Sequence, residues 1–314
     1  MKHWVEAARI RTLPLSVSGI ILGSFYAMSQ SHFNWKIVFF ALATTLGLQV
    51  LSNFANDYGD GIKGTDNADR IGPMRAIQSG VITPKQMKRA MIITSLLTLL
   101  SAVLLIYCSF KEQYLLYSFA FLLLGFLAIA SAIRYTVGNT AYGYRGYGDV
   151  FVFVFFGLVS TLGIYFMFMK EIDMLLILPA VAIGFLSVGV LNLNNIRDEA
   201  SDRKSGKNTI VVKIGGAAAK KYHYFLVVSA MVLVLLFAIL AGFQFDQYLF
   251  LIVYIPLARH LMRVYRNTEP RALDPELKRL ALSTFFLSVL LALSLIFFFS
   301  DIIVQIVNAF AQNI

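Results

Sequence analysis

Charge is what this sequence has least of. Asp, Glu, Lys and Arg make up 14% of its 314 residues, against about 25% in an ordinary soluble domain. Mean hydropathy is +0.72 and 58% of residues are hydrophobic, which excludes a water-soluble globule of usual composition. Cysteine is nearly absent: Cys108 stands alone, so no disulfide forms within the chain, and its apolar surroundings make it a packing residue. The four histidines (His3, His32, His223 and His260) are scattered along the sequence, with no Cys/His spacing for zinc or iron. Carboxylates are rarer than bases, 17 against 27, for a net charge of +10. No basic stripe interleaved with aromatics accompanies that excess, so no nucleic acid is expected as partner.

Long apolar runs are what the sequence has instead. A spanning helix needs about 20 mostly apolar residues, and nine segments qualify: 13–29, 36–55, 87–109, 114–133, 150–169, 174–196, 222–243, 246–264 and 280–300. The eighth is the weakest, because Pro256 interrupts it and Arg259 and His260 follow. The expected fold is all-α: a polytopic membrane protein of nine transmembrane helices with a cytoplasmic polar cap, forming one domain over 1–314. Lys2, Arg9 and Arg11 precede the first run without a convincing cleavage site, so that run reads as a retained helix rather than a signal peptide.

Charge placement supports nine crossings. With the N-terminus in the cytoplasm, every Lys and Arg falls in an inner loop except Lys36, Lys111 and Lys170, as the positive-inside rule requires. One helix more or fewer destroys the alternation. The C-terminus then lies outside, beginning near Asp301, and the expected location is a bacterial inner membrane. The outer loops are short; the inner loops at 56–83, 134–149 and 197–221 are long, and long ordered loops are usually functional. Thr83-Pro84-Lys85-Gln86 predicts a capped helix start, and Asp274-Pro275 opens the last helix in a similar way.

Two acidic clusters stand out on this background. Asn53-Phe54-Ala55-Asn56-Asp57-Tyr58-Gly59-Asp60 ends the second run, and Asn194-Asn195-Ile196-Arg197-Asp198-Glu199-Ala200-Ser201-Asp202 ends the sixth. Four helices separate them, so both emerge on the same side. That spacing suggests a weak repeat, helices 1–4 and 5–8, with a ninth appended. Ionisable residues at a membrane helix mouth are expensive and mark function. On a helix, Asn53, Asp57 and Asp60 share a face, as do Asn194, Asp198 and Asp202. Oxygen-only ligand sets suit Mg2+, which takes one or two carboxylates plus substrate phosphates. Basic residues follow each cluster; most express positive-inside bias, and Lys63, Arg70 and Lys207 are the candidates for contact with a diphosphate. Arg134 and Tyr135, at the end of the fourth helix, begin a glycine- and tyrosine-rich loop up to Asp149. Its tyrosines form a candidate wall against a cationic intermediate, while Asp149 reads as the cap of the fifth helix. Some of the 27 Phe and 15 Tyr are expected to line a channel for an unsaturated tail.

These stretches resemble the UbiA superfamily of intramembrane prenyltransferases. The segments Asn53 to Asp66, Arg70 to Pro73, Gly80 to Thr83, Tyr135 to Asn139, Tyr142 to Asp149 and Asn194 to Gly215 look closest to its 1,4-dihydroxy-2-naphthoate polyprenyltransferase branch, which acts in menaquinone synthesis. The first cluster departs from the superfamily pattern NxxxDxxxD: Gly61 stands where the second acid would fall, and either Asp60 or Asp66 completes the first metal site. The resemblance implies Mg2+ as cofactor and, as substrates, a polyprenyl diphosphate and an aromatic hydroxy acid drawn from membrane lipid surroundings. It implies loss of the ring carboxylate, giving demethylmenaquinone, with Arg134 a candidate for holding that carboxylate. Two other readings stay open: a related enzyme with another acceptor (4-hydroxybenzoate or a lipid), and a cation transporter using intramembrane acids. Neither prenyl length nor oligomeric state is written in these patterns.

Overall fold

The computed structural model describes residues 2–66 and 71–296, and within that range every regular element is helical. In chain order they are α1 (Lys2–Ala8), α2 (Leu13–Ser29), α3 (Trp35–Lys63), α4 (Pro84–Phe110), α5 (Leu115–Arg134), α6 (Gly148–Val152), a π-helical stretch (Phe153–Gly163), α7 (Ile164–Met169), α8 (Ile177–Lys204), α9 (Ile210–Ile214), α10 (Gly216–Leu240), α11 (Tyr254–Arg266) and α12 (Asp274–Ile296). Seven helices among the described residues are long and apolar enough to cross a membrane, or eight if α1 and α2 count as one bent span. The chain is a multi-pass membrane protein.

Local chemistry sets the helix boundaries. α4 starts as its sequence predicts: Thr83 and Gln86 form a reciprocal capping box with Pro84 at the first position. α3 continues through both of its acids to Lys63 and stops where Gly64 turns left-handed at φ 69°, a conformation glycine adopts without steric cost. α8 likewise carries its whole acidic cluster on one helix. Asp149 is not a cap: Tyr147 is the residue before α6 and provides no side-chain cap, and the Asp149 carboxylate accepts a hydrogen bond from the Tyr222 hydroxyl at 3.2 Å. The eighth apolar segment is not one continuous α-helix. Phe245–Val253 winds as a 3-10 helix, and an α-helix follows only from Tyr254. Pro256 sits in the first turn of α11, where its missing N–H costs nothing. The end of the ninth segment and the C-terminal side near Asp301 lie outside the described residues.

Two histidines distant in sequence prove adjacent. The Nε2 atoms of His223 on α10 and His260 on α11 lie 2.9 Å apart. His260 Nδ1 meets Glu276 Oε2 of α12 at 2.7 Å, and Arg279 pairs with the same carboxylate. All three central residues are buried. This polar chain pins α10, α11 and α12 together.

The core is one large cluster among α2, α7, α8, α10, α11 and α12, with a smaller one under α1, α3 and α4. The closest packing is at the π-helical stretch. A Cβ added at Gly157 would fall 2.6 Å from Gly184 Cα on α8 and 2.7 Å from Ala180 O. The two backbones are therefore in contact, and only glycine fits there. α5 is the opposite case: Ala128 is its single buried residue, and most of its apolar side chains face outward.

Contacts sort the loop residues into two ends. Lys170 Nζ lies 4.9 Å over the ring of Phe110 and 6.0 Å from that of Tyr114, and Tyr26 donates to Asp173 at 2.7 Å, so the loops around 30, 111 and 171 share one end. Both acidic clusters and their long loops share the other.

Candidate active site

A cavity of about 380 Å³ runs from the acidic end into the helix bundle. Its mouth is polar, lined by Asn56, Asp60, Asn194, Asp198, Arg197 and Lys207. Its depth is apolar, reaching Ile164, Met167, Leu105 and Phe121 near the opposite end. Each helix contributes to it for a local reason. α3 and α8 persist past the apolar zone, so their last two turns present polar side chains above the apolar ones.

On α3 the acids divide. The Asp57 carboxylate accepts the backbone N–H of Ala76 at 3.1 Å and of Ile77 at 3.2 Å, and it does not line the cavity. It ties down the turn at 75–79 rather than facing the cavity. Asp60 does line it, accepting from Tyr144 Oη at 2.8 Å. Asn53 lines it too, its amide nitrogen donating to Ala8 O at 2.8 Å. The sequence frame Asn53–Asp57 is thus replaced at the cavity wall by Asn56–Asp60, the same i, i+4 spacing three residues on. The Asn56 Oδ1 atom is buried with no hydrogen-bond partner. An orphaned buried acceptor is costly, and in a cavity wall it fits a missing ligand. Asp66 is buried beside Arg75, with Nε 3.9 Å from its Oδ2; Arg75 borders the cavity and Asp66 does not.

On α8, Asn194 and Asp198 line the cavity, while Asp202 is set one turn back. Arg197 belongs by position to the positive-inside bases that follow the second cluster, yet it is a buried part of the site. It is 2% exposed, grips Asp198 through Nε and Nη2 at 2.8 and 2.7 Å, and reaches Asn194 Oδ1 at 2.9 Å and Asp274 at 2.6 Å. Its burial could not be read from sequence, because its partner Asp274 is 77 residues away.

Among the basic candidates within the described residues, only Lys207 lines the cavity. Gly206 turns left-handed at φ 72° and returns the chain so that Lys207 N–H donates to Asp202 O at 2.9 Å. Lys207 Nζ then lies 3.9 Å from Asp60 and 3.8 Å from Asp202, joining the two clusters. Burial alone would pull its pKa down, but the two carboxylates outweigh burial and hold it above the ordinary lysine range. Lys63 instead donates to Thr136 O at 2.7 Å and stacks on Tyr144, 4.0 Å from the ring centre. Arg134 is exposed and away from the cavity. Arg70 lies outside the described residues.

Loop 135–147 forms the aromatic side. Tyr135 and Tyr142 line the cavity, 5.3 Å apart edge to face. Burial pushes the Tyr135 hydroxyl up to about 12, so it stays neutral. α3 approaches this loop closely. A Cβ at Gly59 would fall 2.7 Å from Thr136 backbone atoms, and Thr136 Oγ1 donates to Ala55 O at 2.8 Å. Tyr147, by contrast, is exposed.

The donor set is all oxygen. No three His, Cys, Asp or Glu side chains converge on a metal position among the described residues. Carboxylate and amide oxygens are the donor type that a hard cation takes. Among the described residues, an all-helical membrane bundle with a carboxylate- and amide-rich mouth above an apolar cavity fits an enzyme that works within the membrane on an amphiphile. Residues 16–290 match the UbiA prenyltransferase family, and the chain belongs to that family.

Two curated relatives match along most of the chain. Over 278 residues the chain is 43% identical to 1,4-dihydroxy-2-naphthoate octaprenyltransferase of Escherichia coli (strain K12), covering 88% of this chain and 89% of that one. With the Haemophilus influenzae protein of the same name it shares 42% over 298 residues, covering 94% and 96%. Among solved structures, a UbiA homolog from Aeropyrum pernix K1 superposes with a TM-score of 0.67 at 15% identity, over 90% of this chain and 97% of that one. A UbiA homolog from Archaeoglobus fulgidus bound to DMAPP and Mg2+ gives 0.59 at 14% identity, over 92% and 99%. These structural likenesses concern the fold.

Proposed function

We propose that this protein transfers a polyprenyl group from its diphosphate to 1,4-dihydroxy-2-naphthoate, with loss of the ring carboxylate, giving reduced demethylmenaquinone for menaquinone synthesis. The observation that carries the reading is one cavity with Asn–Asp pairs from two helices at its mouth and an apolar depth behind them. The 42–43% identity to naphthoate octaprenyltransferases supports the acceptor.

The diphosphate head fits between α3 and α8. Asn56, Asp60, Asn194 and Asp198 would hold Mg2+, with Asn53, Asp66 and Asp202 beside them. Bound Mg2+ supplies positive charge to the leaving diphosphate. Lys207 and Arg197 add fixed positive charge at the same mouth. The allylic C–O bond breaks with its electron pair going to the diphosphate. The naphthalene ring supplies the pair for the new carbon–carbon bond, and CO2 departs leaving its pair on the ring. Neutral Tyr135 and Tyr142 present π faces to the cationic carbon, while the helices exclude water. The ring is electron-rich already, so the protein mainly positions and shields.

The whole chain acts as one domain in this reading, and the shared Asn–Asp spacing on α3 and α8 supports a repeated four-helix unit. Nine crossings, a cytoplasmic N-terminus and cap, and a bacterial inner membrane follow from charge placement. The grouping of the Lys111 and Lys170 loops at the end away from the acids supports that orientation.

Purified protein supplied with octaprenyl diphosphate and 1,4-dihydroxy-2-naphthoate is expected to form the prenylated, decarboxylated product only with Mg2+. Product formation that survives chelation, or survives Asp60→Ala and Asp198→Ala together, would sink the metal assignment. A product mixture in which 4-hydroxybenzoate is the preferred acceptor would sink the naphthoate assignment.

A further inference from the structure

We propose that the Lys207 ammonium holds the place of the divalent cation between the two acidic helices until a diphosphate arrives, and then passes to the diphosphate. The proposal rests on the metal–diphosphate reading above and adds to it an order of binding.

Asp60 on α3 and Asp202 on α8 are each about 4% exposed, and two buried carboxylates facing one site repel unless a cation lies between them. Lys207 supplies that cation at 3.9 and 3.8 Å. Both separations exceed a hydrogen bond, so the ammonium is held by the field of two carboxylates rather than by locked geometry. A contact of that kind exchanges readily. The backbone of Lys207 is fixed, by its N–H on Asp202 O and by Thr209 N–H on Lys207 O, whereas its side chain is a flexible four-carbon stem with three donors. Tyr144 marks the other limit of its travel, with Nζ 5.6 Å from the ring centre.

The charge balance then dictates an order. A divalent cation entering alone meets an ammonium already between the carboxylates, and like charges at that distance oppose each other. A diphosphate brings negative charge to the cavity mouth that Lys207 lines. The ammonium can then leave the carboxylates for phosphate oxygens without losing its counter-charge. Cation and diphosphate should therefore bind with strong mutual reinforcement, each raising the affinity for the other by the same factor. Either alone should bind weakly.

The test is a titration of Mn2+ by electron paramagnetic resonance, using the detergent-purified protein with and without inorganic pyrophosphate. In the wild type, pyrophosphate should tighten Mn2+ binding by about tenfold or more, the scale of a typical coupling between sites. In Lys207→Met, Mn2+ alone should bind about tenfold more tightly than to the wild type, and the gain from pyrophosphate should fall by about the same factor, to what direct phosphate coordination of the ion supplies. Lys207→Arg, which keeps the charge, should behave as the wild type. Equal or weaker Mn2+ binding by folded Lys207→Met overturns the placeholder role while leaving the metal site standing. If Lys207→Met does not fold, Lys207→Gln takes its place. The wild-type titration decides independently, since absence of reinforcement by pyrophosphate also overturns the proposal. Absence of Mn2+ binding to the wild type even with pyrophosphate overturns the metal site and the proposal with it.

Discussion

At the scale of single residues, the two acids at the end of α3 do different jobs although they are three positions apart. Asp57 accepts two backbone N–H groups from the turn at 75–79, and Asp60 faces the cavity. Asp57→Asn should remove one of those bonds and cost about 1–3 kcal/mol of stability, read as a lower thermal midpoint, with less than tenfold loss of turnover. Asp60→Asn should instead lower turnover by about 100-fold or more with little change in midpoint; equal kinetic losses in the two variants would refute the division. The acidic cluster itself was legible in the sequence, but its frame was not. Asn53–Asp57 and Asn56–Asp60 both satisfy i, i+4, and a shift of three residues rotates a helix face by only about 60°. Choosing between them needs the position of the 75–79 turn, which no local pattern supplies. The histidines show the same limit. His223 and His260 are 37 residues apart and meet only because α10 and α11 pack together.

At the scale of elements, the helices were readable because apolar length and capping chemistry are local properties. α3, α4, α5, α8 and α10 follow their apolar runs within a turn or so, apart from the polar extensions of α3 and α8. The π-helical stretch at 153–163 was not readable, because its apolar run has the length and composition of an ordinary span, and the close contact of Gly157 with α8 involves residues more than 20 positions away. Gly157→Ala is expected to force that contact apart and destabilise the fold by about 1–3 kcal/mol, the usual cost of overpacking. Thermal unfolding of the variant in the same detergent checks this; an unchanged midpoint would mean the two backbones separate freely. The segment 246–264 is not one continuous α-helix: a 3-10 stretch runs to Val253, and Pro256 and the charged face of α11 favour a short amphipathic helix after it.

At the scale of the whole molecule, the cavity joins a polar end to an apolar one, and its depth belongs to no single motif. Gly125 and Gly163 line it with room beyond: an added Cβ would meet Ala102 Cβ at 3.9 Å in one case and Phe121 at 3.8 Å in the other. Gly125→Leu should fill that space and shift preference toward shorter donors, by about tenfold in the ratio of geranylgeranyl to octaprenyl product for one large side chain. Mass spectrometry of products from a donor mixture reads it, and an unchanged ratio would place the tail elsewhere. Orientation belongs to this scale too. In a Cys108→Ser background, Lys85→Cys should react with an impermeant thiol reagent only from the cytoplasmic side and Lys111→Cys only from outside. Charge alternation along the sequence already carried that expectation, since the membrane selects on loop charge rather than on fold.

The contact between Gly157 and Gly184 has a consequence for descent. Behind the cavity, the π-helical stretch meets α2 at Gly23 and α8 at Gly157 with backbone against backbone, so a new side chain at either place forces the helices apart. In front, α5 buries only Ala128 and has lipid rather than protein behind most of its length. Lineages diverging from this chain should therefore record changes of donor or acceptor as substitutions on the α4 and α5 side, while the opposite wall stays nearly silent. The ancestry of substrate choice in such enzymes would be written on one side of the bundle.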